Sequence, residues 1–326
     1  VHGYAFFIGG GRPEGSAWTA RNAAGATIAS GTTDAEGRFA FQLPASPAGA
    51  VTITASLMLA VYAIVNGNAA GWTSLQSLGL LGAAAALLAA FLFIESHVAA
   101  PLVPLPLLRL RNLAISNVVG VLWAASMFAW FFLSALYMQL VLGYDAMQVG
   151  LAFLPSNLIM AGCSLGLSAW VVMRFGICRT LGWGLLLAAV GLALFALAPT
   201  EGRFVIHVLP GMLLLGVGAG IALNPLLLAA MGDVKPEDSG LASGVVNTAF
   251  MMGGALGLAI LASLADARTD HLRQAGGSVQ QALNAGYQLA FWVSALCALV
   301  AAGLGGFVLR PASTPPAAAP SHPGAV

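Results

Sequence analysis

The chain has 326 residues, of which 59% are hydrophobic and 7% charged, with a mean hydropathy of +0.90 and a formal net charge of +1. Soluble domains carry about 25% charged residues, so this composition excludes one and predicts an integral membrane protein. The near-zero charge offers neither a basic field for nucleic acid nor an acidic face. Cys163, Cys178 and Cys297 stand too far apart for a disulfide framework or a Cys/His metal site, so no metal and no cofactor is expected.

In chain order, residues 1–47 come first and differ in kind from the rest. The runs "GYAFFIG", "AWTARNAAGATIAS" and "GRFAFQL" alternate in polarity between Gly, Asn and Asp turn signals, which predicts a short partial β-sandwich-like segment. A segment this small makes a marginal core alone. No signal peptide is legible ahead of it, and the chain opens on Val1, so the natural N-terminus is expected further upstream.

Eight apolar runs follow as candidates to cross the ~30 Å hydrocarbon layer, which takes roughly 17–25 helical residues, the first of them the shortest and weakest. They cover 50–65, 75–94, 113–141, 149–173, 181–198, 204–231, 241–264 and 287–309. The fold class is therefore an all-α membrane protein with eight transmembrane helices. Residues 46–55 are ambiguous, because "AVTITA" suits a last strand as well as the first turns of a helix. They are read as a junction, and two unrelated reading frames joined there is the favoured explanation. The Pro- and Ala-rich tail at 311–326 is expected to be disordered.

Charge concentrates in the connections, and no Asp, Glu, Lys or Arg sits deep in a run, so no ion relay is expected here. With the residues before the first run inside, the inner loops and tail hold Arg109, Arg111, Arg174, Arg179, Lys235 and Arg310. The outer loops then hold Arg203, Arg268 and Arg273. The positive-inside rule places both ends in the cytoplasm.

Helical periodicity puts Asn117, Gly120, Ala124, Phe128, Phe131, Ala135 and Gln139 on one stripe of the third run. Leu122, Trp130, Leu133, Tyr137 and Leu140 lie opposite, as an expected lipid face. The fourth run repeats the small-polar stripe with Asn157, Ala161, Ser164 and Ser168. The sixth does so with Gly216, Gly220 and Asn224, and the seventh with Ser243, Asn247, Met251 and Gly254. An amide in hydrocarbon costs several kcal/mol, on the order of a lost hydrogen bond in an apolar medium, if it goes unpaired. Such stripes serve either as interhelical packing or as the lining of a cavity for lipophilic compounds. The lining candidates are Asn117, Phe128, Phe131, Gln139, Asn157, Asn224, Asn247 and Met251. Gly216, Gly220, Gly253, Gly254 and Gly257 read as packing positions. Pro155, Pro210 and Pro225 lie within runs and are expected to kink or break them. "GVGAGIALNP" lacks the GxGxxG of a dinucleotide site, and His207 reads as an interfacial histidine. No nucleophile elbow, HExxH or Walker sequence is present, so an enzyme is not expected.

Four segments carry a family resemblance: "PLVPLPLLRLRNLAISNVVG", "GYDAMQVGLAFLPSNL", "MRFGICRTLGWGLLLAAVGLALFAL" and "DVKPEDSGLASGVVNTAFMMGGALGLAILASLADART". In this order they resemble the major facilitator superfamily, in its fourteen-helix drug:proton antiporter branch (EmrB/QacA type). The resemblance implies two linker helices and a cytoplasmic loop at 48–112 and a six-helix C-terminal bundle at 113–310. It also implies a missing N-terminal six-helix half, efflux of small lipophilic molecules by proton antiport through that half, and a multi-pass place in the inner (plasma) membrane. Arg174, Gly176 and Arg179 match the family's cytoplasmic loop motif, with Cys178 where relatives often carry Arg. Phe250 and Met251 stand where relatives often carry polar residues. Residues 1–47 resemble the β-domain of nickel/cobalt transport accessory subunits, on "GGGRPEG" and "TDAEGRFAF". That resemblance implies an alternative reading, a membrane-anchored accessory of metal uptake.

Overall fold

A computed structural model describes residues 2–4, 17–21, 27–32, 38–40, 47–71, 74–97, 109–235 and 238–309. Arg310 and the tail at 311–326 lie outside the described residues, as does all of the "GGGRPEG" segment. Four short strands form two separate antiparallel ladders. In one, β1 (His2–Tyr4) pairs with β4 (Arg38–Ala40), and in the other β2 (Ala17–Arg21) pairs with β3 (Thr27–Thr32). The ambiguous stretch after them is helical, since α1 spans Pro47–Ala70. Proline suits this first helical position because the N–H it lacks would have no intrahelical partner there.

The remaining helices are α2 (Leu75–His97), α3 (Arg111–Leu136), α4 (Ala146–Gly162), α5 (Ser168–Phe175), α6 (Ile177–Ala196), α7 (Leu209–Met231), α8 (Ser239–Gln274) and α9 (Val279–Gly303). Single π-helical turns at Tyr137–Val141, Cys163–Leu167, Phe204–Val208 and Leu304–Val308 extend or join them. Seven spans among the described residues are long and apolar enough to cross a membrane, from Leu75–His97 to Val279–Val308. The first of the eight expected runs appears as a shorter apolar helix, Val51–Gly67.

Two boundaries move outward from the sequence expectation. The stretch at 265–286 reads as a connection, yet α8 continues to Gln274 and α9 starts at Val279. At ~1.5 Å per residue, the 36 residues of α8 run about 54 Å, well beyond the hydrocarbon layer. Packing between the two helices carries the extension. The Thr269 hydroxyl donates to the Ala265 and Ala282 carbonyls, at 2.8 and 3.3 Å, and Gly286 leaves room for both Thr269 and Ala265. Local chemistry fixes other starts. Asp145 and Gln148 form a reciprocal capping box on α4, and Ser278 accepts from the Gln281 N–H at the start of α9.

The prolines act less drastically than the sequence reading expects. Helix runs unbroken through Pro155 and Pro225, and Pro210 falls in the first turn of α7, where proline is tolerated. The irregular turns are the π-helical ones, at Cys163–Leu167 after Pro155 and at Phe204–Val208 just before Pro210.

Helix α3 is the hub. It packs on α8, α9 and α7, while α6 packs on α7 and α9. The face assigned to lipid is therefore corrected at Trp130, Leu133 and Tyr137, each only 1% exposed, while Leu140 at its far end is exposed as expected. The Trp130 ring meets Phe153 and Phe195 edge-on, at centroid distances of 5.9 and 6.5 Å. The Tyr137 hydroxyl donates to the Pro199 carbonyl at 2.7 Å. Lipid and protein core are equally apolar, so composition does not separate these two environments. The helices α1 and α2 form a hairpin, closed by the Ser56 hydroxyl on the Ala84 carbonyl at 2.7 Å. Helix α1 rests on α8, where Ser263 donates to the Ile64 carbonyl at 3.3 Å.

One end of the bundle gathers the start of α3, the α7–α8 turn and the close of α9. The Asp233 carboxylate accepts from the Asn112 backbone N–H and from its side-chain amide, both at 3.2 Å. Arg111 donates to the Val308 carbonyl at 3.5 Å and Cys178 to that of Leu309 at 3.6 Å. Asp233 thereby places negative charge at the N-terminus of α3, where the helix dipole favours it.

Candidate functional site

Helix α4 leans on the bundle through α7. Two glycines of α7 permit this approach. A Cβ built on Gly216 would sit 2.6 Å from the Ser156 carbonyl oxygen, and one on Gly220 would sit 2.5 Å from that of Met160. Polar side chains of α4, of the π-helical turn after it and of α5 then fasten this span to α7. The Ser156 hydroxyl donates to the Met212 carbonyl at 3.0 Å and the Ser168 hydroxyl to that of Ile221 at 3.1 Å. The Asn224 amide donates to the carbonyl and hydroxyl oxygens of Ser164, at 2.9 and 3.3 Å, on the π-helical turn.

Beside this seam lies a cleft of about 250 Å³. Trp123 and Met127 of α3 form one wall, and Met160, Ala161 and Ser164 another. Ala219, Gly220 and Leu223 of α7 and Phe250 of α8 complete it. None of these residues is charged, so the cleft suits a neutral apolar group, and its two methionines are flexible, polarizable walls.

The four spans whose stripes stand out in the sequence are those that meet here, but the residues in contact with the cleft are mostly different ones. None of the eight lining candidates touches it. Phe128 lies in the α3–α8 seam, against Gly254 and 6.3 Å from the Phe250 ring. Phe131 stacks on Trp130 at 4.4 Å and Phe153 at 5.5 Å. Asn224 is spent on Ser164. Both polar atoms of the Asn117 amide are buried without a hydrogen-bond partner among the described residues. Gln139, Asn157, Asn247 and Met251 are exposed. Gly253 and Gly257 hold α8 close to Val121 and Ala125 of α3.

Trp123, Met127, Met160, Ala219 and Leu223 escape the sequence reading, and Phe250 enters it only as a departure from the family pattern. Trp123 and Met127 sit three and seven residues after Gly120, on the same flank of α3, so the missed signal is a stripe shifted by one residue. Arg174 and Arg179 are exposed on either side of Gly176, whose φ of +85° favours glycine. The Thr180 hydroxyl closes that turn on the Gly176 carbonyl at 2.7 Å. His207 accepts the Arg203 backbone N–H through Nδ1 at 2.9 Å.

Residues 15–258 match the family model of the Major Facilitator Superfamily. The chain is 34% identical over 236 residues to the cephamycin export protein CmcT of Amycolatopsis lactamdurans, covering 72% of this chain and 47% of that one. It is 33% identical over 215 residues to the puromycin resistance protein pur8 of Streptomyces alboniger, covering 65% and 42%. It is also 33% identical over 225 residues to the lincomycin resistance protein of Streptomyces lincolnensis, covering 68% and 46%. The chain spans about half the length of the curated relatives it matches. By its match over residues 15–258 and its membrane-spanning helices, the chain belongs to the Major Facilitator Superfamily.

Proposed function

We propose that the spans from Arg111–Val141 to Val279–Val308 are the C-terminal half of a fourteen-helix drug:proton antiporter that exports lipophilic small molecules across the plasma membrane. The observation that carries this reading is the uncharged cleft between α3, α4, α7 and α8, in a chain of this superfamily. Relatives named for antibiotic export or resistance support it. In such a transporter the substrate sits between two halves that rock against each other. The exposed Asn157, Asn247 and Met251 are the groups we assign to a substrate held there. Proton coupling then belongs to the other six-helix half, since the cleft holds no ionisable group. Helices α1 and α2 act as linkers, with α1 as an eighth crossing, and both ends of the chain lie in the cytoplasm, as six inner against three outer Lys and Arg residues favour.

The test is efflux of a lipophilic dye from a host stripped of its own exporters. Coexpression of this chain with an N-terminal six-helix half is expected to give efflux that a protonophore abolishes. This chain by itself is expected to give none. Protonophore-sensitive efflux from this chain alone would overturn the half-transporter reading.

A further inference from the structure

A groove of about 190 Å³ lies between α3 and the close of α9, lined by Ala114, Ile115 and Val118 and by Leu304 of the π-helical turn. Its four side chains are all apolar, and Val118 is 50% exposed, so the groove is open to the surroundings of the bundle. Arg111 stands at its head. It precedes Ala114, Ile115 and Val118 by three, four and seven residues, which puts all four on one face of α3. Its guanidinium reaches the Val308 carbonyl at 3.5 Å, in the same turn that supplies Leu304. That contact uses one of five N–H donors, arranged in a fork that suits a phosphate. Two more exposed arginines lie at this end: Arg109, two residues earlier, and Arg179, whose neighbour Cys178 donates to the Leu309 carbonyl beside Val308. The Asp233 carboxylate is engaged by Asn112.

We infer that this groove binds an anionic phospholipid, whose phosphate pairs with Arg111 and Arg109 and whose acyl chain lies against Ala114, Ile115, Val118 and Leu304. The depths agree with such an occupant. Arg111 is the first residue of its membrane-crossing span, at the level of the headgroups. At ~1.5 Å per residue the groove lies about 5–10 Å further in, where acyl chains begin. Charge selects the lipid class. A zwitterionic phospholipid offers the same chains, but the cation of its headgroup offsets the attraction to the arginines, each worth about fivefold in affinity for an anionic surface. The bound lipid bridges the start of α3 and the close of α9, adding to the Arg111–Val308 contact that already joins them.

Two lipids with the same chains isolate the charge: dioleoylphosphatidylglycerol, which is anionic, and dioleoylphosphatidylcholine, which is zwitterionic. The full chain, delipidated in detergent, is titrated with each, and bound lipid is counted by native mass spectrometry. The unaltered chain is expected to hold one phosphatidylglycerol at least about fivefold more tightly than phosphatidylcholine. Arg111→Gln is expected to lose about fivefold of that binding. Val118→Trp, which fills the groove from its exposed side, is expected to lose about fourfold for each methylene it displaces. Both positions are exposed, so the fold tolerates the changes. Arg174→Gln is the control: it removes an exposed arginine of the same end, next to α5, which packs on α6 and α7, and is expected to leave binding unchanged. Equal affinity of the unaltered chain for the two lipids would overturn the inference whether or not the variants fold. So would unchanged phosphatidylglycerol binding in Arg111→Gln or in Val118→Trp. A loss in Arg174→Gln as large as that in Arg111→Gln would also overturn it, because it marks diffuse attraction to the whole basic end in place of a site.

Discussion

Replacing Gly220 with alanine adds one methyl group at the tightest point of the α4–α7 seam. The new Cβ would lie 2.5 Å from the Met160 carbonyl oxygen and 2.7 Å from the Cys163 Cβ. That is about 1 Å inside the ~3.5–4.0 Å at which nonbonded heavy atoms attract. Backbone blocks it on one side, so the rotation of a side chain cannot relieve it, and α4 must move away from α7. Overpacking of this kind costs about 1–3 kcal/mol. Separation of the helices would also lengthen the Asn224–Ser164 hydrogen bonds, now 2.9 and 3.3 Å. Gly150→Ala is the matched control: it lies on α4 with nothing within 4 Å of the added methyl, and alanine is the better helix former. The assay is the midpoint of thermal unfolding of the purified chain in detergent, followed by tryptophan fluorescence. The midpoint of Gly220→Ala should fall by about 2–4 °C for each kcal/mol lost, while that of Gly150→Ala stays level or rises. Equal midpoints for the two variants would refute the close seam and the cleft geometry that depends on it.

Three further outcomes follow from the same structure. Asn224→Ala removes the amide that holds Ser164 and should destabilise the chain by about 0.6–1.7 kcal/mol, the range seen for interhelical hydrogen bonds in membranes; the same unfolding assay reads it. Asp233→Asn takes the negative charge from the N-terminus of α3 and should lower the midpoint by less than Gly220→Ala does, with most of the difference lost at high salt. In intact cells, a membrane-impermeant maleimide should modify Arg203→Cys and spare Lys235→Cys, in a background without Cys163, Cys178 and Cys297. The opposite pattern would invert the proposed orientation.

The helices were legible because crossing hydrocarbon demands long apolar runs, and the sequence contains them with charges in between. Their ends were less so. Residues 265–274 are polar enough to read as a loop, and only the Thr269 contact with Ala282 and the space at Gly286 explain why helix continues there. That the opposite side of α3 faces inward as well was missed for a different reason. Trp130, Leu133 and Tyr137 are as apolar as lipid-facing residues, and their burial comes from partners far away in sequence, such as Phe195 against Trp130 and Pro199 against Tyr137. The four spans that build the cleft stood out by their small and amide residues, but those residues proved to lie mostly beside the cleft. Small side chains mark where helices approach closely, and the space next to the contact is walled by larger neighbours such as Trp123, Met127 and Phe250.

The central claim is that the cleft between α3, α4, α7 and α8 holds a neutral lipophilic compound, and filling it tests this most directly. Ala161 lines the cleft, so Ala161→Trp places an indole inside it. The measurement is equilibrium binding of Nile red to the purified chain in nanodiscs, with empty nanodiscs subtracted as partition background. Saturable binding to the unaltered chain, weakened at least about tenfold in Ala161→Trp by the loss of contact with an apolar pocket, is the predicted result. Equal saturable binding to both chains, or none above background in the unaltered one, would contradict it.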